Sequence, residues 1–381
     1  MNNKICYLDN AATSFPKPKN VINEVNKCLS TYCGNAGRGS HRLSLQAANK
    51  IFECREQICK LINAPLPENI IFVPSCSYGL NLVIKGALNY GDHVLISDME
   101  HNSVLRPIHK LASEGKITYD VFSCLLKSEN EIINSIKSKI KPSTKLIICN
   151  HQSNICSFVA PIDKIGELCK KFDILFAVDV AQSIGHSIID INKSNANYIV
   201  APAHKGLYGI QGCGFVAINS NNNLQTLIEG GNGIFSLEKT MPDFLPERHE
   251  VGTLPLPSIV GLGEGIKTVS DKGIDNIAVQ ERELFHRLRN GLLSINNVTV
   301  YAPDFEGNTL SFNINNMSSE RVSTILNEQN ICLRAGFHCS ALAHTSLGTA
   351  ETGTVRASFG IFNTKKDIDK LLLAVNNICK F

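Results

Sequence analysis

Two polar residues that could act together in catalysis follow two successive apolar segments. Asp179 ends the run ILFAVD, and Lys205 follows the run YIVAP and precedes a glycine-rich stretch. On its own Asp179 is equally a solvated or helix-capping residue, and Lys205 a surface lysine. The nucleotide-binding pattern GxxxxGK[ST] is absent. A strand-end acid about one βα unit before a strand-end lysine fits pyridoxal 5'-phosphate (PLP), which needs an acid at its pyridine nitrogen and a lysine amine.

The wider sequence resembles the cysteine desulfurase and selenocysteine lyase family of class V, fold-type-I PLP enzymes. The matching motifs run from YLDNAATS at 7–14 to TVRASFGIFNT at 354–364, so the resemblance covers nearly the whole chain. It implies a homodimer that converts L-cysteine to L-alanine and leaves the sulfur as a persulfide on a cysteine. A protein or small thiol would then accept the sulfur.

For the cofactor, the resemblance implies a role for each matching residue. Lys205 would bind PLP as a Schiff base and move the Cα proton, while Asp179 would pair with the pyridine nitrogen. Gln182 would contact the ring hydroxyl, and His101 in MEHNS would stack on the ring and assist proton transfers. The residues expected around the phosphate are Cys76, Ser77 at a helix N-terminus, His204 and, from the partner subunit, Thr253 in HEVGT.

For the substrate, Arg356 in TVRAS matches the arginine that holds the amino acid's carboxylate, a task suited to a planar guanidinium. Asn154 in HQSN is the expected second carboxylate contact, and Arg334 is also expected at the substrate. Cys339 in LRAGFHCS aligns with the persulfide-forming cysteine of the group II desulfurases. Arg334 and His338 are near it in sequence, and cationic neighbours favour the nucleophilic thiolate.

Some positions depart from the family pattern and leave alternatives open. Pro202 replaces a phosphate-binding serine, Cys76 a threonine and Phe337 a histidine, while Ser157-Phe158 is bulkier than in relatives. One alternative is a selenocysteine lyase that uses the same residues. Another is a different class V reaction in which Cys339 is incidental. An inactive binding protein is the third, and the joint presence of the PLP and substrate residues argues against it.

The segments that must position these residues predict an α/β fold. Between about residues 70 and 220, short runs rich in Ile and Val alternate with segments of helical periodicity. This pattern predicts a doubly wound, mainly parallel sheet with ligands at the carboxyl ends of its strands. After about residue 255 the pattern indicates a smaller α+β domain. We expect a large PLP-binding domain over 15–260 and a small domain, carrying the cysteine loop, over 1–14 and 261–381.

Composition predicts an ordinary soluble, cytoplasmic protein. The 381 residues are 43% hydrophobic and carry a formal net charge of +3, so no nucleic-acid or acidic-membrane partner is expected. The N-terminal run MNNKICYLDNAATS lacks a signal-peptide core, and no stretch approaches the ~18 apolar residues of a membrane span. The 14 cysteines include no CxxC pair, so no metal site is expected and most of them are predicted to be buried apolar residues.

Overall fold

The computed structural model describes residues 5–37, 39–219 and 224–380. Residues 1–4 of the N-terminal run and Phe381 of the predicted small domain lie outside these ranges. The strands are β1 (Cys6–Tyr7), β2 (Ile70–Val73), β3 (His93–Ser97), β4 (Thr118–Phe122), β5 (Thr144–Asn150), β6 (Leu175–Asp179), β7 (Tyr198–Pro202), β8 (Gly214–Ile218), β9 (Val298–Tyr301), β10 (Thr309–Ile314), β11 (Ile331–Cys332), β12 (Arg334–Gly336) and β13 (Thr354–Ser358). The α-helices are α1 (Lys19–Lys27), α2 (Arg42–Ile62), α3 (Cys76–Ala87), α4 (Asn102–Ser113), α5 (Glu129–Lys137), α6 (Ile162–Lys171), α7 (Leu256–Lys272), α8 (Ile274–Leu293), α9 (Ser319–Glu328), α10 (Ala341–Ser346) and α11 (Lys365–Ile378).

The larger sheet has seven strands in the order β2-β8-β7-β6-β5-β3-β4. Neighbouring strands from β7 to β4 are parallel, and β8 runs antiparallel to both β7 and β2. The predicted mainly parallel α/β fold is therefore confirmed. The edge strand β4, with sequence TYDVF, is missing from the predicted runs because only one of its five residues is buried.

The middle of each central strand is apolar because both faces of the sheet are covered. Ile147, Phe176 and Ile199 face one core, which also contains residues of α2, α6 and α7. The alternating residues Ile148 and Val200 face the other core, built with α3 and α4. Strands buried on both faces lose the apolar–polar alternation of half-exposed strands. Their first polar residues therefore come at the strand ends, where Asp179 and Lys205 are found.

A second, antiparallel sheet has the order β12-β13-β10-β9. Apolar residues of α8, α9 and α11 pack against this sheet and form a core separate from the two cores of the larger sheet. The N-terminal strand β1 pairs in parallel with β11, so the start of the chain joins this part of the molecule. Helix α11 opens with the predicted capping box of Thr364 and Asp367. Helix α7 runs without interruption past residue 260, where the sequence predicted a domain boundary.

In the described part of the chain, no helix combines the length and apolar character that crossing a membrane requires.

Gly265 of α7 lies against the turn that follows Lys205. A Cβ added there would overlap the carbonyl oxygen of Leu207, whereas one added to Gly261 would lie 3.2 Å from a methyl group of Val25. Alanine is favoured over glycine in a helix by about 1 kcal/mol where there is room, but overpacking costs about 1–3 kcal/mol. We expect Gly265→Ala to lower the free energy of unfolding and the matched Gly261→Ala to preserve it. Urea denaturation measures both, and equal stability of the two variants would contradict this packing.

Candidate active site

A cavity of about 110 Å³ opens at the carboxyl ends of the parallel strands, the edge at which the sequence predicted a ligand. It contains eight of the predicted site residues, whereas Cys339, Arg356, Arg334 and Thr253 lie outside its wall. The residues that line it are Ser75, Cys76, Ser77, His101, Ser103, Asn150, Asn154, Asp179, Ala181, Gln182, Pro202, His204 and Lys205.

Asp179 is the last residue of β6, and Lys205 follows the neighbouring strand β7, as the sequence predicted. Asp179 is buried, and its Oδ1 accepts a hydrogen bond from the Ala181 backbone N–H at 2.9 Å and a longer contact from Cys76 Sγ at 3.6 Å. Burial raises the pKa of Asp179 and lowers the pKa of Lys205. The cavity therefore combines a lysine biased toward its neutral, nucleophilic form with a carboxylate that a cationic ligand would stabilise.

His101 is the N-cap of α4, and its ring stands in the cavity wall. The Ser103 backbone N–H donates to His101 Nδ1 at 3.0 Å, so Nδ1 carries no proton and the neutral ring has its hydrogen on Nε2. Burial and the nearby Lys205 lower the pKa of His101 to about 4. The ring is therefore neutral at physiological pH, which suits a flat ligand stacked against it.

Two helix N-termini meet at this cavity, those of α3 and α4. The N-cap of α3 is Ser75, whose Oγ accepts from the Tyr78 backbone N–H at 3.2 Å. Ser77 lies inside the first turn of this helix, as its expected place at a helix N-terminus requires. Its Oγ is 2.6 Å from Ser103 Oγ. Free N–H groups at a helix N-terminus bind anions, and these hydroxyls add donors for a phosphate.

The N-terminal segment fixes the peptide that precedes Lys205. The carbonyl oxygen of His204 accepts hydrogen bonds from the Ser14 backbone N–H at 3.0 Å and from Lys17 Nζ at 3.0 Å. His204 Nδ1 lies 3.0 Å from Thr13 Oγ1, and burial lowers the pKa of His204 to about 4. Sequence reasoning used YLDNAATS as a family motif but did not predict this contact, which joins residues about 190 positions apart.

Gln182 is held by the same N-terminal segment. Its Nε2 donates to the Ala11 carbonyl oxygen at 3.0 Å, and its side chain is buried in the cavity wall. The segment 7–14 therefore contacts the strand-end residues on both sides of the predicted cofactor position.

Arg356, on β13, is a fully buried cation. Its Nη2 forms an ion pair with Asp9 at 2.8 Å, and its Nη1 donates to the Asn154 carbonyl oxygen at 3.1 Å. Its Nε is buried and has no hydrogen-bond partner among the described residues. Asp9 was missed in the sequence, although an acid directly after the apolar residues of YLDN needs a partner when buried.

Asn154 holds the cysteine loop. Its Nδ2 donates to the His338 carbonyl oxygen at 2.8 Å, and its Oδ1 accepts from Ser340 Oγ at 2.7 Å. The backbone N–H of Asn102, the first residue of α4, donates to the Cys339 carbonyl oxygen at 2.7 Å. The loop is thus fixed beside His101, and Asn154 acts mainly on the loop rather than as a free amide.

Cys339 itself is exposed, with a backbone φ of 59° in the left-handed region. All 14 cysteines lie in the described part of the chain, and Cys33 is the other exposed one, as the expected burial of most cysteines requires. The charges of Cys339 and Arg356 interact, so the thiol has a cationic neighbour. Arg334 is exposed and pairs in register with Arg356 on the adjacent strand.

His338 does not supply the positive charge that its sequence position suggested. Its Nε2 lies 3.0 Å from the Thr354 carbonyl oxygen and must carry a hydrogen there, because a carbonyl can only accept. Burial and the Arg356 charge lower the pKa of His338 to about 2. The ring is neutral, and the turn directs it into the protein while Cys339 is exposed.

The departures from the family pattern have different structural settings. Pro202 lies in the cavity wall, and Phe337 is 50% exposed next to the cysteine loop. Ser157 is buried and joins the two sheets, because its Oγ donates to the Thr309 carbonyl at 2.7 Å and accepts from the Thr309 N–H at 2.9 Å. Thr253 lies in another cavity of about 650 Å³, between α2 and the segment 231–254, away from Lys205 of the same chain.

The sequence and structure were compared with known proteins. The family described as aminotransferase class-V matches residues 6–371. A probable cysteine desulfurase of Methanothermobacter thermautotrophicus is 33% identical over 96% of this chain and 92% of its own length. A probable cysteine desulfurase of Pyrococcus abyssi is 32% identical over 100% and 96%.

Among solved structures, the apo cysteine desulfurase of Thermococcus onnurineus NA1 superposes with a TM-score of 0.89. It is 29% identical to this chain and covers 99% of it, and the match covers 95% of that structure. These matches extend over both sheets and the whole candidate site. The chain therefore belongs to the class-V aminotransferase family, whose members are PLP-dependent enzymes.

Proposed function

We propose that the chain is a cysteine desulfurase that converts L-cysteine to L-alanine and keeps the sulfur on Cys339 as a persulfide. The observation that carries this proposal is the position of an exposed thiol on a loop tied to α4, beside the His101 wall of a cavity that contains Lys205 and Asp179. The names of the relatives support the same activity.

The residues of the cavity fit PLP. Asp179 is a buried carboxylate that a protonated pyridine nitrogen would stabilise, and the neutral ring of His101 offers a stacking surface. Lys205 is the amine for covalent attachment. The N-terminal turn of α3, with Ser77 and the adjacent Cys76, suits the phosphate. When bound, PLP supplies an electron sink that weakens the bonds at the substrate's Cα.

The substrate carboxylate has a matching group in Arg356. The Nε–H of this guanidinium is buried, and no described residue accepts from it. A substrate carboxylate would provide the acceptor and remove the cost of an unpaired buried donor, about 1–3 kcal/mol or more for a charged group. Asp9 holds the guanidinium in place through Nη2.

The remaining chemistry belongs to Lys205 and Cys339. The neutral amine of Lys205 takes the Cα proton of the substrate. The Cys339 thiolate attacks the substrate's Sγ, so that a new S–S bond forms while the Cβ–S bond breaks. The bonding electron pair stays with the carbon skeleton. The skeleton takes a proton from solvent at Cβ, regains a proton from Lys205 at Cα and leaves as alanine. Arg356 is the cationic neighbour of Cys339 on the adjacent strand β13.

We also propose that the chain divides into the two domains predicted from its sequence and that it works as a homodimer. The separate core of the antiparallel sheet supports the division. For the dimer, Thr253 would contact the phosphate in the partner subunit. Thr253 lines a cavity of about 650 Å³ that does not include its own Lys205, and this supports a role across an interface.

Replacement of Lys205 tests the attachment site of the cofactor. The wild-type chain purified with PLP should be yellow, and borohydride should fix the cofactor to the peptide that contains Lys205. Lys205→Ala should lose this covalent link and alanine production, because Lys205 is the only lysine among the described residues that line the cavity, while Lys239→Ala at an exposed position should behave like wild type. Peptide mapping by mass spectrometry provides the measurement. A borohydride-fixed cofactor on Lys205→Ala would show that another lysine is the site.

Replacement of Cys339 separates sulfur transfer from cofactor binding. Cys339→Ser should retain the PLP absorbance but lose alanine production from L-cysteine by about 10²-fold or more, because a hydroxyl cannot accept sulfur as a persulfide. Cys33→Ser, at the other exposed cysteine, is the matched control and should keep full activity. Full activity of Cys339→Ser would mean that Cys339 is incidental. If Cys339→Ser loses L-cysteine turnover but keeps L-selenocysteine turnover, selenocysteine lyase becomes the better assignment.

Mixed dimers test whether Thr253 acts across the interface. Lys205→Ala and Thr253→Ala subunits carrying different tags are co-expressed, and the hybrid is isolated. If Thr253 acts in the partner, one site of the hybrid has both residues intact and should bind PLP as tightly as wild type. The Thr253→Ala homodimer should bind PLP about tenfold more weakly, because a charged hydrogen bond is lost. Weak binding in the hybrid, or a fully active monomer, would contradict the shared site.

A further inference from the structure

Glu100 is a buried carboxyl group to which the proposed reaction gives no task. It directly precedes His101 and has no solvent exposure. Its Oε1 accepts hydrogen bonds from Ser97 Oγ at 2.5 Å and from the Asn150 backbone N–H at 2.7 Å. Its Oε2 is also buried, but no partner for it exists within the described ranges.

A second acceptor that lacks a donor lies on Asn150, the residue hydrogen-bonded to Glu100. The Asn150 side-chain Oδ1 is buried and unpartnered among the described residues, while its Nδ2 makes a 3.4 Å contact with the Met99 carbonyl oxygen. An unsatisfied buried acceptor is costly. A proton on Glu100 Oε2 would convert one of the two acceptors into a donor and so relieve the shortage.

The charges around Glu100 oppose its ionisation. No lysine or arginine forms an ion pair with it in the part of the chain that the structure describes. The titratable groups in its surroundings are Asp179, the neutral His101 and Cys149, with Asp98 two positions before it. A buried carboxylate without a cation bears the full cost of desolvation. Burial and Asp179 raise the pKa of Glu100 to about 8.

Glu100 also connects two walls of the candidate site. It leads directly into His101, the N-cap of α4. Its hydrogen-bond partner Asn150 ends β5 and pairs in register with Asp179 on β6. His101, Asn150 and Asp179 all line the cavity. The Glu100–Asn150 hydrogen bond therefore fixes the loop that carries His101 relative to the strand end beside Asp179.

We propose that Glu100 is a neutral carboxylic acid at physiological pH, protonated on Oε2, and that it positions His101 and the Asp179 strand end through the hydrogen bonds that Oε1 accepts. Its effect on catalysis rests on the proposed PLP function, but its protonation does not. The two parts can therefore be tested separately in the full-length chain.

The protonation is tested with Glu100→Gln, an uncharged side chain of the same shape. The infrared difference spectrum of wild type minus Glu100→Gln should contain the C=O band of a protonated carboxylic acid, because other buried carboxyl groups such as Glu281 contribute equally to both spectra. Folding raises the pKa of Glu100 from 4.5 to about 8, so the folded protein holds this proton more tightly than the unfolded chain. As the pH increases between these values, the unfolded chain loses the proton first, and the free energy of unfolding of wild type decreases. The urea midpoint of Glu100→Gln relative to wild type should therefore rise from pH 5 to pH 8.

Glu250 offers a matched control for a buried carboxylate that is ion-paired. Its Oε2 lies 2.7 Å from Arg55 Nη2, and its Oε1 accepts from the Phe72 backbone N–H. Glu250→Gln leaves the buried Arg55 charge without its partner, so its urea midpoint should fall below that of wild type throughout this pH range. Comparison of Glu100→Gln with Glu250→Gln thus distinguishes the replacement of a neutral carboxylic acid from the loss of a buried negative charge.

The positioning role is tested by comparing Glu100→Gln with Glu100→Ala. Glu100→Gln should keep kcat for L-cysteine within about twofold of wild type and keep the absorbance spectrum of bound PLP. Glu100→Ala should lower kcat at least tenfold with little change in KM, because Glu100 does not touch the substrate. If Glu100→Ala does not fold, Glu100→Asp, whose side chain is one carbon shorter, should give the same loss.

The opposite results would overturn the proposal. Absence of the infrared band, together with a urea midpoint difference that stays flat or falls with pH, would show that Glu100 is ionised. A wild-type kcat in Glu100→Ala, or in its Asp substitute, would remove the positioning role. Failure of the wild-type chain to bind PLP would count against the proposed function alone, since the infrared band and the midpoints require no cofactor.

Discussion

The buried charge of Arg356 is the constraint on which the arrangement of the site depends. A guanidinium without water needs acceptors, and here they come from distant parts of the chain. Asp9 belongs to the N-terminal segment, Asn154 follows β5 of the large sheet, and Arg356 itself lies on the antiparallel sheet. The Arg356 guanidinium therefore connects three regions of the fold: the N-terminal segment, the segment after β5 and the antiparallel sheet. Its remaining Nε–H is the open position of this network.

Around this cation, the two sheets contribute unlike parts of the site. The parallel sheet provides rigid strand ends. At these ends Asp179 and Lys205 lie between the apolar interior of the sheet and a polar cavity. The antiparallel sheet provides the loop that carries the exposed Cys339, the proposed sulfur acceptor. Asn154 and the N-terminus of α4 hold that loop through backbone and side-chain hydrogen bonds. Cofactor chemistry and sulfur release can thus occupy neighbouring but distinct environments.

The fold and the strand-end residues could be predicted because they follow from local patterns. Continuous apolar runs identify strands buried on both faces, so Asp179 and Lys205 stand out where such runs end. Strand β4 was not predicted, because this edge strand has only one buried residue and no continuous apolar run. Asp9 escaped for another reason: its partner Arg356 is 347 residues away, and a single sequence gives no sign of that distance.

At the cysteine loop, closeness in sequence led to a wrong expectation about which residue places a positive charge near Cys339. His338 adjoins Cys339, yet both residues have positive φ, and the turn sends the His338 ring inward to Thr354. Its burial makes it neutral, so the charge near the thiol comes from Arg356, 17 positions later in the sequence. Local sequence reveals which residues share a turn but not the direction of each side chain.

The pairing of Asp9 with Arg356 also has a consequence for how the protein matures on the ribosome. The large sheet ends at β8 and can form once about 220 residues have emerged. Asp9 then lacks this partner until β13 has been synthesised, because Arg356 lies far beyond β8 in the sequence. During translation, a nascent chain can thus possess Asp179 and Lys205 in a folded sheet while Arg356 is still absent. The proposed site for the substrate carboxylate is therefore completed only after the strands that carry the proposed cofactor site.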